Sequence, residues 1–460
     1  MTGPVALDQG NTQRLNCRWQ LRKNWTDVLF ALRPILDNPG AFASKVDALK
    51  SSAEAKRLLP EIKRENIRSL SRLSPRFIAG KTFVVRVDYN DVHQPYDDDI
   101  RLRASLKTLK HILDNRGKVV VLTYRGRPQV FEQAMTTDSL VEAIQSVLPN
   151  INVHKIEGEP HAEGIVSVVP SSAVELVVAL ATEGTIVLLD NLRFDQAEAS
   201  PFWDQRHPFC LFLSMLGDVY VLDGYPISHH DNASVTELLL YLPSVAGFWL
   251  EDEIAAHRQF HELMMKQNCD PMLAMFGGIK PDKLEHIKPL CQTLQKGDTV
   301  FIGGILAYHA RTVAFFQDDL PAAGIRVVFQ DQQDDGRFDI SDAILKQIIA
   351  LMDGQKIVFW NGAFGQIELP QYQTSYAVVR ELYRRLLAPL CSIERLFFSG
   401  RETAPMVKAS LGLTEETRHF TPGLYISTGG GTSLHDLGQG VDNLGYRSLW
   451  GMPETIMLLD

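Results

Sequence analysis

Four turns in the second half of the 460-residue chain are built on glycine: Gly277-Gly278, Gly303-Gly304, NGAFG at 361–365, and Gly429-Gly430-Gly431 inside YISTGGGTSLHDL at 425–437. Glycine lets backbone N–H groups approach an oxyanion closely, and a helix that starts after such a turn adds a favourable dipole. For any one glycine pair, a phosphate cradle and a plain tight turn are both open readings. Four such turns in one half of the chain favour a nucleotide. The first half carries a different set, Arg101, Arg127 and Arg193 with Asp88 and Asn90. Guanidinium groups grip carboxylates and phosphates in bidentate fashion, so this set suits a small anion that also bears hydroxyls.

These residues follow short apolar, β-branched runs. In the first half the runs are TFVVRVDYN (82–90), KVVVLTYRGRP (118–128), GTIVLLDNLRF (184–194) and DVYVLDGY (218–225). In the second they are PMLAMFGGIK (271–280), TVFIGGILAY (299–308), IRVVFQD (325–331), KIVFWNGAFG (356–365), RLFFSGRET (395–403) and LYISTGGG (424–431). Longer segments of helical period separate them, which predicts parallel α/β sheets with strands buried on both faces. In such sheets ligands bind beyond the carboxyl ends of the strands, where the glycines and arginines fall. Two Rossmann-like α/β lobes, 76–243 and 268–440, fit ten runs better than one sheet. Residues 244–267, SVAGFWLEDEIAAHRQFHELMMKQ, read as one long interdomain helix, residues 1–75 as a helical extension, and residues 441–460 as a segment expected to return to the first lobe.

The whole chain narrows the function classes. A net charge of -9 argues against a dedicated nucleic-acid binder, so an anionic ligand must meet a local basic patch. The five cysteines, at 17, 210, 269, 291 and 391, form no CxxC pair, which suggests neither a disulfide framework nor a zinc site and fits a reducing compartment. No apolar run is long enough to span a bilayer, and the first residues lack the order of a secretory signal. A cytoplasmic location is expected; the basic stretch QRLNCRWQLRKN (13–24) leaves organelle targeting as the alternative. Gly80-Lys81-Thr82 imitates the end of a P-loop, yet Pro75 replaces the first glycine and the segment precedes a strand. No strand is followed by GxGxxG, so a dinucleotide-dependent oxidoreductase is unsupported.

The order of the segments resembles the phosphoglycerate kinase family. The stretches that carry it are VVRVDYN, IRLRASLKTLKHIL, RGRP, LLDNLRF, DVYVLDG followed by His229, SVAGF, FGGIKPDK, FIGGILAY, VFWNGAFGQIE and ISTGGGTSL, from about residue 77 to 440. The resemblance implies a two-lobed, monomeric enzyme that moves a phosphoryl group between 1,3-bisphosphoglycerate and MgADP, giving 3-phosphoglycerate and MgATP. The first lobe would bind phosphoglycerate and the second nucleotide with Mg2+, the protein contributing position and charge. By the same resemblance Asp88 and Asn90 meet the glycerate, Arg101 stabilises the transferring group, and Arg127 and Arg193 hold the other phosphate. In the second lobe Lys280 accompanies the transferred phosphate and Lys283 a nucleotide phosphate. Gly277 and Gly278 belong to the nucleotide turn, Gly303 and Gly304 form a flat adenine slot, Asn361 contacts phosphate, Glu368 binds ribose, and Gly429, Gly430 and Gly431 cradle the phosphate in flight.

The chain departs from the family at defined places. A histidine of the basic cluster is Tyr124, and a substrate arginine is His230, cationic only in part near neutral pH. A lysine on the interdomain helix is Gln259. The family's Gly-Gly-Gly-Asp-Thr loop is Ser399-Gly400-Arg401-Glu402-Thr403, where Glu402 is the carboxylate left to serve magnesium. Lys283 follows Lys280 by three positions, a spacing that keeps both on one helical face. Two readings follow: a working phosphoglycerate kinase with a divergent site, or a catalytically impaired relative that binds nucleotide or a protein partner.

Overall fold

The computed structural model describes residues 68–449 apart from 95, 97–98, 161–165, 168–172, 266–269, 332–338, 368, 370–372, 389–392, 415–420, 442, 444 and 447–448. The expected helical extension therefore lies outside the described residues up to 67, as does Glu368.

The first sheet is assembled from β1 (Thr82–Arg86), β2 (Lys118–Leu122), β3 (Asn152–Ile156), β6 (Thr185–Leu189), β7 (Val219–Leu222) and β8 (Ser244–Ala246) in the order β3-β6-β2-β1-β7-β8. All its pairings are parallel, with Val84 level with Val120 and Tyr220. A two-stranded antiparallel pair, β4 (Glu159–Pro160) and β5 (Val166–Ser167), lies apart. The second sheet runs β11-β10-β9-β12-β13-β14, again parallel throughout, from β9 (Met272–Phe276), β10 (Thr299–Ile302), β11 (Arg326–Phe329), β12 (Ile357–Asn361), β13 (Arg395–Ser399) and β14 (Leu424–Ser427). Its order is that of a doubly wound nucleotide-binding sheet, whose crevice opens where the winding reverses, between β9 and β12.

Burial explains which strands could be read in advance. The central strands β6, β7, β9 and β12 are buried along their whole length, as apolar runs require. Edge strand β3, NVHKI, buries only Val153 and Ile156 and carries no apolar run. Strand β8 corrects the expectation of a helix from 244. Ser244–Ala246 pair with β7, and the helix runs Phe248–Met265. Gly247 separates the two, because a Cβ there would lie 2.1 Å from Asp223 Oδ1, the oxygen that accepts the Trp249 N–H at 2.9 Å and caps the helix.

The chain divides into two units, residues up to Glu251 with those from Leu444 onward, and Asp252–Asn443, so the boundary falls within the helix Phe248–Met265. Of the last residues, Gly445 donates its N–H to Ser228 O at 2.9 Å, inside the first unit.

Candidate functional site

In the first unit, the carboxyl ends of the strands gather the arginines. The helix Ile100–Asp114 buries Leu102, Leu106, Leu109 and Ile112 along one stripe. Asp99 caps it by accepting from Arg101 N at 3.0 Å and Leu102 N at 2.9 Å. Arg101 thus stands in the first turn, where the helix dipole disfavours a cation. Asp88 at 2.9 Å and Asp91 at 3.1 Å offset that cost and hold the guanidinium charged. Asn90 accepts the Gly126 N–H at 2.6 Å and so ties the end of β1 to the turn after β2.

Tyr124 donates its hydroxyl to Asp88 Oδ2 at 3.3 Å, and burial raises its pKa, so the phenol stays neutral. Its ring supports the Arg193 guanidinium at 3.8 Å from the centroid, and Arg193 also donates to Gly126 O. Arg193 and Arg127, with His230, Gln129, Asp231 and Asn232, line a cleft of about 370 Å³. The partial charge expected of His230 is corrected here: burial, then Arg193, push its pKa down to about 4, so the imidazole is neutral at pH 7. Beneath the site Arg86 is fully buried, donating to Ser234 Oγ at 2.8 Å and pairing with Glu198 at 3.3 Å.

In the second unit the glycine turns meet at the carboxyl ends of β9, β12, β13 and β14. Gly277 donates to Asn361 O at 3.0 Å across the reversal point of the sheet, and a Cβ on it would lie 2.2 Å from Ala363 O. Gly362 takes φ +89° and donates its N–H to Thr403 Oγ1 at 2.8 Å; a Cβ there would meet Gly277 O at 2.4 Å. The Asn361 amide spans to Ser399 Oγ at 2.7 Å and Gly430 O at 3.2 Å, joining three strand ends. Gly303 and Gly304 back onto Phe364, whose Cδ1 would be 2.5 Å from a Cβ on Gly303. Gly430 and Gly400 lie side by side, a Cβ on Gly430 reaching the Gly400 Cα at 3.6 Å. Gly431 opens the helix Gly431–Gln439.

The two lysines part company, which corrects the shared helical face. The helix begins at Lys283, so Lys280 lies in the preceding turn and is exposed. Lys283 turns inward and donates to Gly277 O at 2.6 Å and Asn361 O at 3.0 Å. Burial pushes its pKa down to about 7, only partly countered by Glu402. Arg401 and Glu402 are exposed and Thr403 is buried at the start of the helix Thr403–Leu411. Gln259 is exposed on the helix Phe248–Met265, and no described hydrogen bond joins it to the glycine turns.

Sequence reasoning missed the supports. Asn191, just after β6, accepts Arg125 N at 3.1 Å and donates to Arg125 O at 2.7 Å and Met135 O at 2.9 Å, fixing the turn that carries Arg127. Glu253 is buried and accepts Thr428 N at 2.8 Å, Thr428 Oγ1 at 2.7 Å and Ser427 Oγ at 2.8 Å. Four residues on, His257 Nε2 meets Ser433 Oγ at 2.9 Å. The available signal was position: both fall on the buried stripe Trp249, Leu250, Glu253, Ile254, His257, Phe260.

An α/β protein with guanidinium groups around one set of strand ends and glycine turns at the reversal point of a second sheet has the architecture of a two-unit phosphotransferase. The sequence profile of phosphoglycerate kinase matches residues 76–317. The phosphoglycerate kinase of Moorella thermoacetica is 28% identical over 406 residues, covering 78% of this chain and 93% of that protein. That of Aquifex aeolicus is 34% identical over 279 residues, 60% of this chain and 63% of that protein. The fold matches the crystal structure of phosphoglycerate kinase from Pyrococcus horikoshii with a TM-score of 0.61 at 20% identity, covering 83% of this chain and 98% of that one. The chain belongs to the phosphoglycerate kinase family.

Proposed function

We propose that the chain catalyses reversible phosphoryl transfer between 1,3-bisphosphoglycerate and ADP, the first unit holding phosphoglycerate and the second the nucleotide. The observation that carries this reading is the pairing, in one chain, of the Arg127–Arg193 cleft near the Asp88–Arg101 ion pair with the interlocked glycine turns of the second sheet. Arg127 and Arg193 are the charges for the phosphate that stays in place. Arg101, kept cationic by Asp88 and Asp91, is the charge for the group that moves. Gly429, Gly430 and Gly431 offer backbone amides at a helix start. Lys280 is exposed in the turn after β9 and free of the carbonyl bonds that hold Lys283, which must leave two carbonyls to meet an anion.

Magnesium suits the residues present. Among the described residues no cluster of three ligating side chains could hold a metal unaided. Glu402 gives a single exposed carboxylate at the turn after β13, which fits an ion bound mainly by nucleotide phosphates and water. When bound, that ion would neutralise charge on the phosphates. We place the enzyme in the cytoplasm as a monomer, a reading that fractionation and sedimentation test.

A second reading, a relative impaired in catalysis, draws on the neutral His230, the Tyr124 proton committed to Asp88 and the Lys283 amine tied to carbonyls. A coupled assay with 3-phosphoglycerate and MgATP separates the two. Turnover that falls by at least about a thousandfold in Arg101→Ala supports the kinase, since removing one transition-state donor costs on the order of 10²–10³ and a buried charge partner adds to it. Nucleotide binding without turnover supports the impaired relative.

A further inference from the structure

His230 is half-buried at the rim of the cleft it shares with Arg127 and Arg193. Among the described residues its ring nitrogens have no hydrogen-bond partner; its ring meets only His229, edge-on at 4.3 Å between centroids. The charged groups around it come from three strands. Arg193, after β6, Arg127, after β2, and Arg86, in β1, all oppose an imidazolium, and Asp88, after β1, favours one. Asp231, its neighbour in the cleft, is engaged by Arg206 at 2.7 Å. Tyr124 contributes a neutral phenol. The unliganded cleft is thus a positive field around an unpartnered, uncharged ring.

We propose that His230 takes up a proton as an anion enters this cleft, so that the chain holds a phosphorylated ligand more tightly as the pH falls from neutral. The inference rests on the reading of the cleft as the phosphoglycerate site. A phosphate dianion between the guanidinium groups reverses the sign of the field at the ring and accepts a hydrogen bond from it, and both effects favour the imidazolium. In the unliganded state the pKa is near 4. With the field offset, the ring returns to at least the ordinary value of about 6.5. Between those values the complex binds more protons than the free protein, so affinity rises with acidity. The gain is about tenfold between pH 7.5 and 5.5, with about three quarters of a proton taken up at pH 6.

Titration calorimetry of 3-phosphoglycerate into the full chain, in buffers of unlike ionisation enthalpy, tests this with wild type, His230→Asn and His230→Arg. The ligand's own ionisation is common to all three. The wild type should show the excess uptake over both variants, and its affinity relative to His230→Asn should rise about tenfold from pH 7.5 to 5.5. His230→Arg should bind most tightly at pH 7.5. An NMR titration of the wild-type His230 ring with and without ligand gives the same shift should a variant fail to fold. Binding with equal proton uptake in wild type and His230→Asn overturns the proposal and leaves the substrate site standing. Absence of binding in all three overturns both.

Discussion

Glu253→Ala tests how far the triple-glycine turn depends on the helix Phe248–Met265. The carboxylate is 1% exposed and accepts three bonds, from Thr428 N, Thr428 Oγ1 and Ser427 Oγ, all between 2.7 and 2.8 Å. Removing it leaves one buried N–H and two buried hydroxyls without that acceptor, each costing about 1–3 kcal/mol. The buried charge itself is removed, which returns part of its desolvation cost, and water can occupy the vacated volume. A net loss of about 3 kcal/mol follows, with Glu253→Gln losing about half because its amide oxygen still accepts from Thr428. Urea unfolding followed by Trp360, buried in β12 of the same unit, measures the change. Hydrogen exchange at Thr428 and Gly429 localises it, since local opening exposes these amides first. A loss below about 1 kcal/mol in Glu253→Ala, or unchanged exchange at Thr428, would refute the reasoning.

Other substitutions probe the neighbouring turns. Gly362→Ala combines a φ of +89° with a Cβ 2.4 Å from Gly277 O, so it should lower stability by about 2 kcal/mol or more and weaken MgADP binding at least tenfold; calorimetry showing wild-type affinity would count against the packing described. Burial holds the Lys283 pKa at about 7, below the ordinary lysine value of 10.5, so between those limits the unfolded chain holds a proton that the folded chain has released. Stability of the ligand-free protein should therefore gain a rising contribution from pH 7 to 9 that Lys283→Met lacks, and parallel stability–pH curves for the two would exclude it.

The sheets were legible because their central strands are buried on both faces, leaving apolar runs such as TIVLL in β6 and MLAMF in β9. β3 and β8 were not, the first because its polar Asn152, His154 and Lys155 break the apolar run and the second because three residues before Gly247 carry no period. The apolar runs put Asp88, Arg127, Arg193 and Asn361 at the carboxyl ends of strands, whereas Arg101 stands in the first turn of the helix Ile100–Asp114. What sequence could not supply was their state. The neutral ring of His230 depends on Arg193 and burial, and the inward turn of Lys283 on a helix start one turn later than spacing suggested. Glu253 and His257 carry no strand-end or glycine-turn signal, and only their positions on the buried stripe of the helix mark them.

The glycine turns of the second unit also constrain how such a sequence drifts. Gly277 rests on Ala363 O, Gly362 on Gly277 O, and Gly303 and Gly304 on Phe364. Gly277, Gly362 and Gly304 lack space because another turn's backbone fills it, and Gly303 because the Phe364 ring does. A side chain gained at one position displaces its neighbour, so damage from a second gain overlaps with the first and double substitutions fall short of additivity. Arg401 and Glu402, which are exposed, lie outside this constraint. A substitution in one turn is therefore read best against the same substitution in a chain whose neighbouring turn has already been changed.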